Sequence, residues 1–518
     1  MLINCQQVSD SDYLEFDICI VGAGAAGITL AKELSNKGLN IAVFESGSLK
    51  DSKQIQDLSK AKVDPEFHAP VELNQYRCLG GNTTKWAGRC IRFDEIDFQH
   101  RSWVPYSGWC INSSDLEPYY FRAHKYLELG DYNYELKESL PNYKTSLIEG
   151  AKFSNLTINN LYRFSPPTNF QKYLSDLKEV KIFYNATCRQ IVYEDSKVVN
   201  LEFISSAPNS PAKKISVKSK YYVLAMGGIE NAKILMLSGF KNKNVVKFYQ
   251  SHLVHYLELK LFKDIIQNYE KSKDGIWCQR SISLTSEFQE KYKILNHRMF
   301  IERTNPEDSN HQVGYLSLIN LLKYRNHKQL AQHFKNIIVD PLTIINYGSK
   351  MLASNLFIKS KIPVIVLKNK SNWYRLRIDV EQAPNPSSQI ILSQEKDALD
   401  IPRVKIDWQY NNLDVSTIFK LIEILNETFL NNKIGEIRSV PEINFKANIA
   451  HFIGTTRMSI TPTEGVVNHN CQVHGLSNLL IAGSSVFPTS SFANPTLTIV
   501  AMTIRLSDHL KELFQWIN

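Results

Sequence analysis

The sequence predicts an α/β protein: a nucleotide-binding domain assembled from distant stretches of the chain, with a second region of antiparallel strands and helices between them. Three observations carry this. A glycine-rich turn sits between an apolar strand and a helix near the N-terminus. The C-terminal stretch returns to βα character. The middle, roughly 240–440, is poorer in glycine and richer in long polar-aromatic runs.

Residues 16–21 read as a short apolar strand, followed by Gly22-Ala23-Gly24-Ala25-Ala26-Gly27. Residues 28–36 read as a helix closed by Gly38, and 40–44 as a second strand closing with Glu45. This is a βαβ unit. Its Gly22-x-Gly24-x-x-Gly27 spacing is the Rossmann-like dinucleotide fingerprint. Gly22 allows the tight turn, Gly24 lets backbone approach a pyrophosphate, and Gly27 lets helix and strand pack closely. The helix N-terminus offers free N–H groups and partial positive charge to phosphates. Glu45 stands where an acid holds a ribose diol. That argues against a 2′-phosphate, hence against NADP, and leaves NAD and FAD open. Further along, 115–129 read as an amphipathic helix and 180–184, 190–193 and 199–204 as strands. The strand 220–225 enters Gly227-Gly228, and 229–237 is a helix. Near the C-terminus, 478–482 is a buried strand and 496–514 a helix. Asn494-Pro495 before it reads as an ordinary N-cap and N1 pair.

The 518 residues carry 60 Lys+Arg against 51 Asp+Glu, a net charge of +9 with no basic block. This argues against nucleic acid as a partner and leaves a weak attraction to anionic surfaces. A chain this long buries a large core without disulfides. The eight cysteines form no CxxC pair, which fits reduced thiols. Residues 1–17 have no Lys or Arg and no apolar core, unlike a secretory signal. The expectation is a cytoplasmic enzyme. Residues 336–366 are apolar, interrupted by Asp340, Pro341, Lys350, Lys359, Lys361 and Pro363. Two readings of them stay open: a helix packed on its own domain, or a peripheral membrane contact. His252, His255, His297 and His474 lack metal-ligand spacing, so no metal is expected, and His474 reads as structural.

Four further segments bear on function. They are Gly80-Gly81-Asn82-Thr83-Thr84-Lys85-Trp86 with Gly88; 223–231 around Gly227-Gly228; Glu381-Gln382-Ala383-Pro384-Asn385-Pro386-Ser387-Ser388; and 451–458 from His451 to Met458, continuing through Val473-His474-Gly475 and 482–488 to Asn494-Pro495-Thr496. In this order they resemble the glucose–methanol–choline (GMC) family of flavoprotein oxidoreductases, strongly at both ends and patchily between about 240 and 440. The resemblance implies FAD at the junction of two domains. One is a discontinuous Rossmann-like FAD-binding domain (1–110, 178–245 and 445–518). The other is an α+β substrate-binding domain with a large antiparallel sheet (111–177 and 246–444). It implies oxidation of a CH–OH group to a ketone or aldehyde.

Carried onto this chain, the resemblance places Gly22, Gly24, Ala25, Ala26, Gly27, Glu45 and Ser46 at the nucleotide. It adds Gly80, Gly81, Asn82, Thr83, Thr84, Cys188, Gly227, Gly483, Ser484, Asn494, Pro495 and Thr496 as further cofactor contacts. Gly483 departs from the family pattern, where an acid is common, which leaves backbone contact there. Some relatives bond the flavin covalently through a His in the Gly80 motif. Lys85 stands at that position here, so the FAD is expected to be non-covalent. The resemblance makes His451 and Asn494 the catalytic pair. His451 takes the hydroxyl proton, and Asn494 orients the substrate oxygen. Arg457 and Met458 read as structural support. A sugar, glycoside or other alcohol is the expected substrate, with a dehydrogenase slightly favoured over an oxidase and the electron acceptor unassigned. The alternatives are a flavin-containing lyase of the same fold, or a membrane-associated enzyme oxidising a lipid or sterol alcohol.

Overall fold

The structure is a computed structural model that describes residues 1–8, 13–144, 156–166, 169–207, 210, 212–266, 268–324, 328–357, 366–438, 443–447 and 450–514. Two sheets dominate it. The first has a parallel core whose strands lie in the order Leu2–Asn4, Lys181–Tyr184, Ile41–Glu45, Tyr13–Val21, Lys214–Leu224. The last of these is long enough for two partners on its far edge. Its start pairs antiparallel with Lys197–Ser205, and its end pairs parallel with Leu479–Ile481. Ala186–Glu194 adds to Lys197–Ser205.

Ile41–Glu45 is buried at every position. A parallel strand covered on both faces needs this continuous apolar run rather than alternation. Phe44 stacks between Phe183 and Phe203, with ring centroids 4.6 and 4.3 Å away. The helix Ala25–Leu34 begins three residues before the position predicted, straight out of the glycine turn. A Cβ on Gly27 would lie 1.8 Å from the Gly22 carbonyl oxygen, so helix and turn pack in direct contact.

Register decides where the site falls. Val21 lies opposite both Phe44 and Leu224, and Leu224 lies opposite Ile481. The four strands therefore end on one line. Gly22, Glu45, Ala225 and Ala482 all emerge at the same edge, the carboxyl edge where open α/β sheets hold ligands.

The second sheet is antiparallel: Gly435–Arg438, Leu253–Leu261, Trp373–Val380, His297–Glu302, Trp277–Leu284, Leu156–Phe164 and Arg89–Cys90, with Glu270–Lys271 beside Trp277–Leu284. This is the large antiparallel sheet expected. Along Leu253–Leu261 every second residue is buried, the period of a strand with one face on the core. The helix Asn412–Asn431 starts from a capping box formed by Asn411 and Asp414. It buries Ile418, Leu421, Leu425 and Phe429, the 3–4 spacing of one helical face.

Arg101 and Glu381, 2% and 0% exposed, form a buried bidentate ion pair that ties the N-terminal part of the chain to the third motif. The eight cysteines are unpaired. Of the apolar stretch 336–366, residues 358–365 lie outside the described residues. The rest falls in the helices Leu330–Val339 and Pro341–Phe357, in Asp340 between them, and in Val366. Among the described residues no helix is long and apolar enough to cross a membrane.

Candidate active site

A cavity of about 380 Å³ lies along the shared carboxyl edge of the parallel strands, within the range of cofactor and small-molecule sites. Its wall takes Gly22, Gly24, Ala25 and Ala26 from the first turn, Glu45 and Ser46 from the second strand, and Thr187 and Cys188 from the strand beyond. Gly227 and Gly228, Gly483 and Ser484, and 494–496 close it from the C-terminal side. Gly81, Asn82, Thr83 and Gly88 line it from the loop above.

Four features fit this cavity to a dinucleotide carrying a flat ring. A Cβ on Gly24, Gly227 or Gly483 would meet nothing within 4 Å, so these three residues leave open the space their side chains would fill. Gly227 and Gly483 also have φ of 89° and 121°, which L side chains rarely adopt. Two helices, Ala25–Leu34 and Thr496–Leu513, start at the wall with no side-chain cap. Their first N–H groups and positive ends are open to an anionic group. The third feature is Glu45. It is buried and accepts from the Ala23 and Gly47 N–H groups at 2.9 Å each and from Ser46 Oγ at 3.2 Å. A carboxylate has about four acceptor sites, so one remains for a ligand hydroxyl. Burial pushes the Glu45 carboxyl above its ordinary range, against those hydrogen bonds and the nearby Arg77. The fourth is Thr187 Oγ1, buried at the wall without a hydrogen-bond partner.

Three of the residues expected at the cofactor are not on the wall. Gly27 serves helix packing, as above. Gly80 forms the left-handed turn before the loop, with φ 91°, and Thr84 Oγ1 donates to the Gly81 carbonyl at 2.8 Å. The side chains of Asn82 and Thr83 also bond within the protein, to Tyr76 N and Asn74 O and to Gly80 O and Phe170 N. Lys85 is half exposed, pairs with Asp51 and lies over the Tyr76 ring at 4.9 Å. Its neighbour Trp86 takes the wall position. Burial pushes the Cys188 thiol up to about 12, so it is a contact surface rather than a nucleophile.

His451 and Asn494 meet at the wall, 43 positions apart in sequence, with Nδ2 of Asn494 3.3 Å from Nε2 of His451. The amide does not cap the helix behind it. Pro495 is already in helical conformation and makes no side-chain cap, so the expected N-cap bond is replaced by the contact with His451. Burial, and then the neighbouring His252, Arg377 and Arg89, hold the His451 imidazole well below its ordinary pKa. It is neutral at neutral pH, the form that takes a proton.

Sequence reasoning passed over the wall residues Arg77 and Arg89, and over His252 behind the wall. Arg77 pairs with Glu230 at 2.8 Å and donates to Ser46 Oγ at 3.2 Å, and all three residues line the cavity. Arg89 sits over the Phe300 and Tyr162 rings at 4.0 and 4.5 Å and pairs with Asp379 at 3.6 Å. Their position flanking the Gly80–Gly88 loop was the available signal. His252 stands behind His451, Nδ1 to Nδ1 at 2.9 Å, and nothing in the spacing of its neighbours marks it. Arg457 and His474 lie off the wall. Arg457 donates to the Tyr106 carbonyl at 2.6 Å, and His474 lies against Ser459.

Residues 163–254 and 384–503 match the GMC oxidoreductase family, and residues 20–49 match the NAD(P)-binding Rossmann-like domain. The chain has the fold and domain organisation of a GMC-family FAD-dependent oxidoreductase, and it oxidises a CH–OH-bearing substrate with FAD. It is similar to the large subunit of fructose dehydrogenase from Gluconobacter japonicus, 21% identical over 96% of this chain and 98% of that one. A C-glycoside 3-oxidase from Arthrobacter globiformis is 45% identical over 11% of each chain. In fold it is similar to an FAD-dependent oxidoreductase from Chaetomium thermophilum, with a TM-score of 0.56, 14% identity, and coverage of 96% of this chain and 100% of that one.

Proposed function

We propose that the protein is an FAD-dependent dehydrogenase of a sugar, glycoside or related alcohol, with His451 as the base and Asn494 as its partner at the substrate oxygen. The observation that carries this is the 3.3 Å pair of imidazole and carboxamide on the cavity wall. His451 Nε2 takes the hydroxyl proton, and the Asn494 amide donates to the same oxygen and orients it. Bound in the cavity, FAD supplies the acceptor for the hydride that leaves the carbon. The helix Thr496–Leu513 turns its positive end toward the cavity and steadies negative charge developing there. A carbohydrate substrate is supported by the similarity to a fructose dehydrogenase subunit and to C-glycoside 3-oxidases. The dehydrogenase reading is supported by a dehydrogenase subunit among the relatives that match over nearly the whole chain. Segments 1–110, 178–245 and 445–518 form the FAD-binding domain in this proposal, and 111–177 and 246–444 form the substrate-binding domain.

The FAD is held without a covalent bond. The lysine at the attachment position of some relatives turns to Asp51 and away from the wall. Acid precipitation of the yellow protein is expected to leave FAD in the supernatant. Colour that stays with the pellet contradicts this.

We also propose a cytoplasmic enzyme with peripheral membrane contact through 336–366. The helix Leu330–Val339 is inverted: His333 and Asn336 face inward, while Ile338 is 77% exposed. Leu342 and Ile345 on the next helix are 68% and 63% exposed, and Lys323 and Lys335 are exposed as well. Exposed apolar side chains together with exposed lysines fit an anionic lipid surface. The wild type is expected to float with vesicles rich in phosphatidylserine, and Ile338→Glu/Leu342→Glu to stay at the bottom of the gradient. Equal flotation of the two contradicts the assignment.

A further inference from the structure

A line of four polar groups runs from the cavity into the protein. Asn494 Nδ2 stands 3.3 Å from His451 Nε2. His451 Nδ1 stands 2.9 Å from His252 Nδ1, and His252 Nε2 stands 3.2 Å from the Ser490 carbonyl oxygen. The last group sets the direction of the line. A carbonyl oxygen only accepts, so His252 carries its proton on Nε2. A neutral imidazole protonated there has a bare Nδ1, which accepts. His451 therefore donates from Nδ1 and keeps its lone pair on Nε2, where the Asn494 NH₂ group faces it. The reverse assignment would set the lone pair of His252 Nε2 against that of the carbonyl.

We propose that His252, oriented by Ser490, is a positioning residue that holds His451 in the Nδ1–H tautomer and so leaves Nε2 as the basic nitrogen at the cavity. This rests on the reading of His451 as the base. Burial keeps both imidazoles below their ordinary pKa, so the pair shares one proton between its Nδ1 atoms rather than carrying charge. His252 is 3% exposed. Its ring and that of His451 lie 4.5 Å apart, edge to face.

The third motif builds the support. Gln382 N donates to Ser490 Oγ at 3.0 Å, and Gln382 Oε1 accepts from Ser251 N and from Trp408 Nε1, each at 2.9 Å. One glutamine thus grips both the residue before His252 and the serine whose carbonyl accepts the His252 hydrogen bond. Glu381, next to it, is fixed by Arg101. Ser491 takes a left-handed φ of 51° and donates to Asp97 Oδ2 at 2.7 Å, which holds the turn carrying the Ser490 carbonyl. A tautomer fixed by a second residue is a known requirement of histidine bases.

The test uses the FAD-loaded protein labelled with ¹⁵N-histidine, with His451 assigned by the signal missing in His451→Ala. A two-bond ¹⁵N–¹H correlation spectrum is expected to show His451 protonated on Nδ1 and bare on Nε2. In His252→Leu the tautomer is expected to mix or reverse. The rate of flavin reduction should fall about tenfold or more with little change in KM. His252→Asn keeps an acceptor oxygen at the Nδ1 position and is expected to restore most of the rate and the tautomer. His451 protonated on Nε2 in the wild type overturns the relay whatever the rates, and that spectrum needs no substitution at His252. A His252→Leu protein with unchanged tautomer and rate overturns it too. A normal rate in His451→Ala overturns the base reading, whatever the tautomer.

Discussion

His451→Ala is expected to bind FAD as the wild type does and to lose reduction of the flavin by its alcohol donor by about a hundredfold or more. Removing a positioned general base typically costs 10²–10⁴-fold. The substitution takes away the imidazole and leaves the glycine cradle, Glu45 and both helix starts untouched, so cofactor content separates a lost base from a lost site. The pH profile carries the same claim. With His451 as the proposed base the active form is the neutral imidazole, so activity is expected to be lost as pH falls, when Nε2 is protonated. Burial, with His252, Arg377 and Arg89 nearby, lowers that pKa well below the ordinary histidine value of about 6.5. The acid limb of the wild-type profile should therefore lie below the ordinary histidine range and be missing in the variant. Anaerobic stopped-flow mixing reads both. Near-normal reduction in His451→Ala removes the residue from the mechanism.

Gly24→Val is expected to give a folded, colourless protein. The position of its Cβ is open on the protein side, with nothing within 4 Å, so the chain has room for the side chain. That room is the cavity itself, where the backbone of the turn must meet a pyrophosphate. Gly27→Val is the contrasting case. Its Cβ would lie 1.8 Å from the Gly22 carbonyl oxygen, so the turn and the helix cannot pack as they do. The first variant should keep its melting transition as apoprotein and lose FAD absorbance. The second should lose the folded protein. Full FAD occupancy in Gly24→Val would show that the loop does not face the cofactor.

The contrast between these glycines shows what the sequence made legible. Both belong to one fingerprint whose spacing alone assigns each a job: the packing job of Gly27 is seen in its close approach to the Gly22 carbonyl oxygen, and the pyrophosphate job of Gly24 is what its variant tests. Glu45 was legible because it closes a strand whose length and polarity change are local. The pairing of His451 with Asn494 was legible only through resemblance, since no local rule brings residues 43 apart together at 3.3 Å. His252 was not legible at all, and Arg77 and Arg89 were marked only by flanking the Gly80–Gly88 loop. Arg77 pairs with Glu230, Arg89 packs on Phe300, and His252 meets His451 through tertiary contacts between segments far apart in sequence. The helix starts carry a smaller lesson. Asn494-Pro495 has the composition of a cap, yet the side chain goes to a histidine, because a buried imidazole needs a donor and the helix end has the cavity before it. The polar inner face of Leu330–Val339 was hidden for a related reason. Hydropathy reports how apolar a stretch is and says nothing of which face turns to the core.

The central claim is that the carboxyl edge of the parallel sheet hosts oxidation of a CH–OH carbon with His451 as its base. The most direct measurement mixes the FAD-loaded protein, without oxygen, with a panel of sugars, glycosides and simple alcohols. It follows the flavin absorbance and analyses the product, using donors that carry hydrogen or deuterium on the oxidised carbon. The account predicts bleaching matched mole for mole by a ketone or aldehyde, slower with deuterium and lost in His451→Ala. A donor consumed while the flavin stays oxidised, or bleaching that continues at full rate without His451, would contradict it.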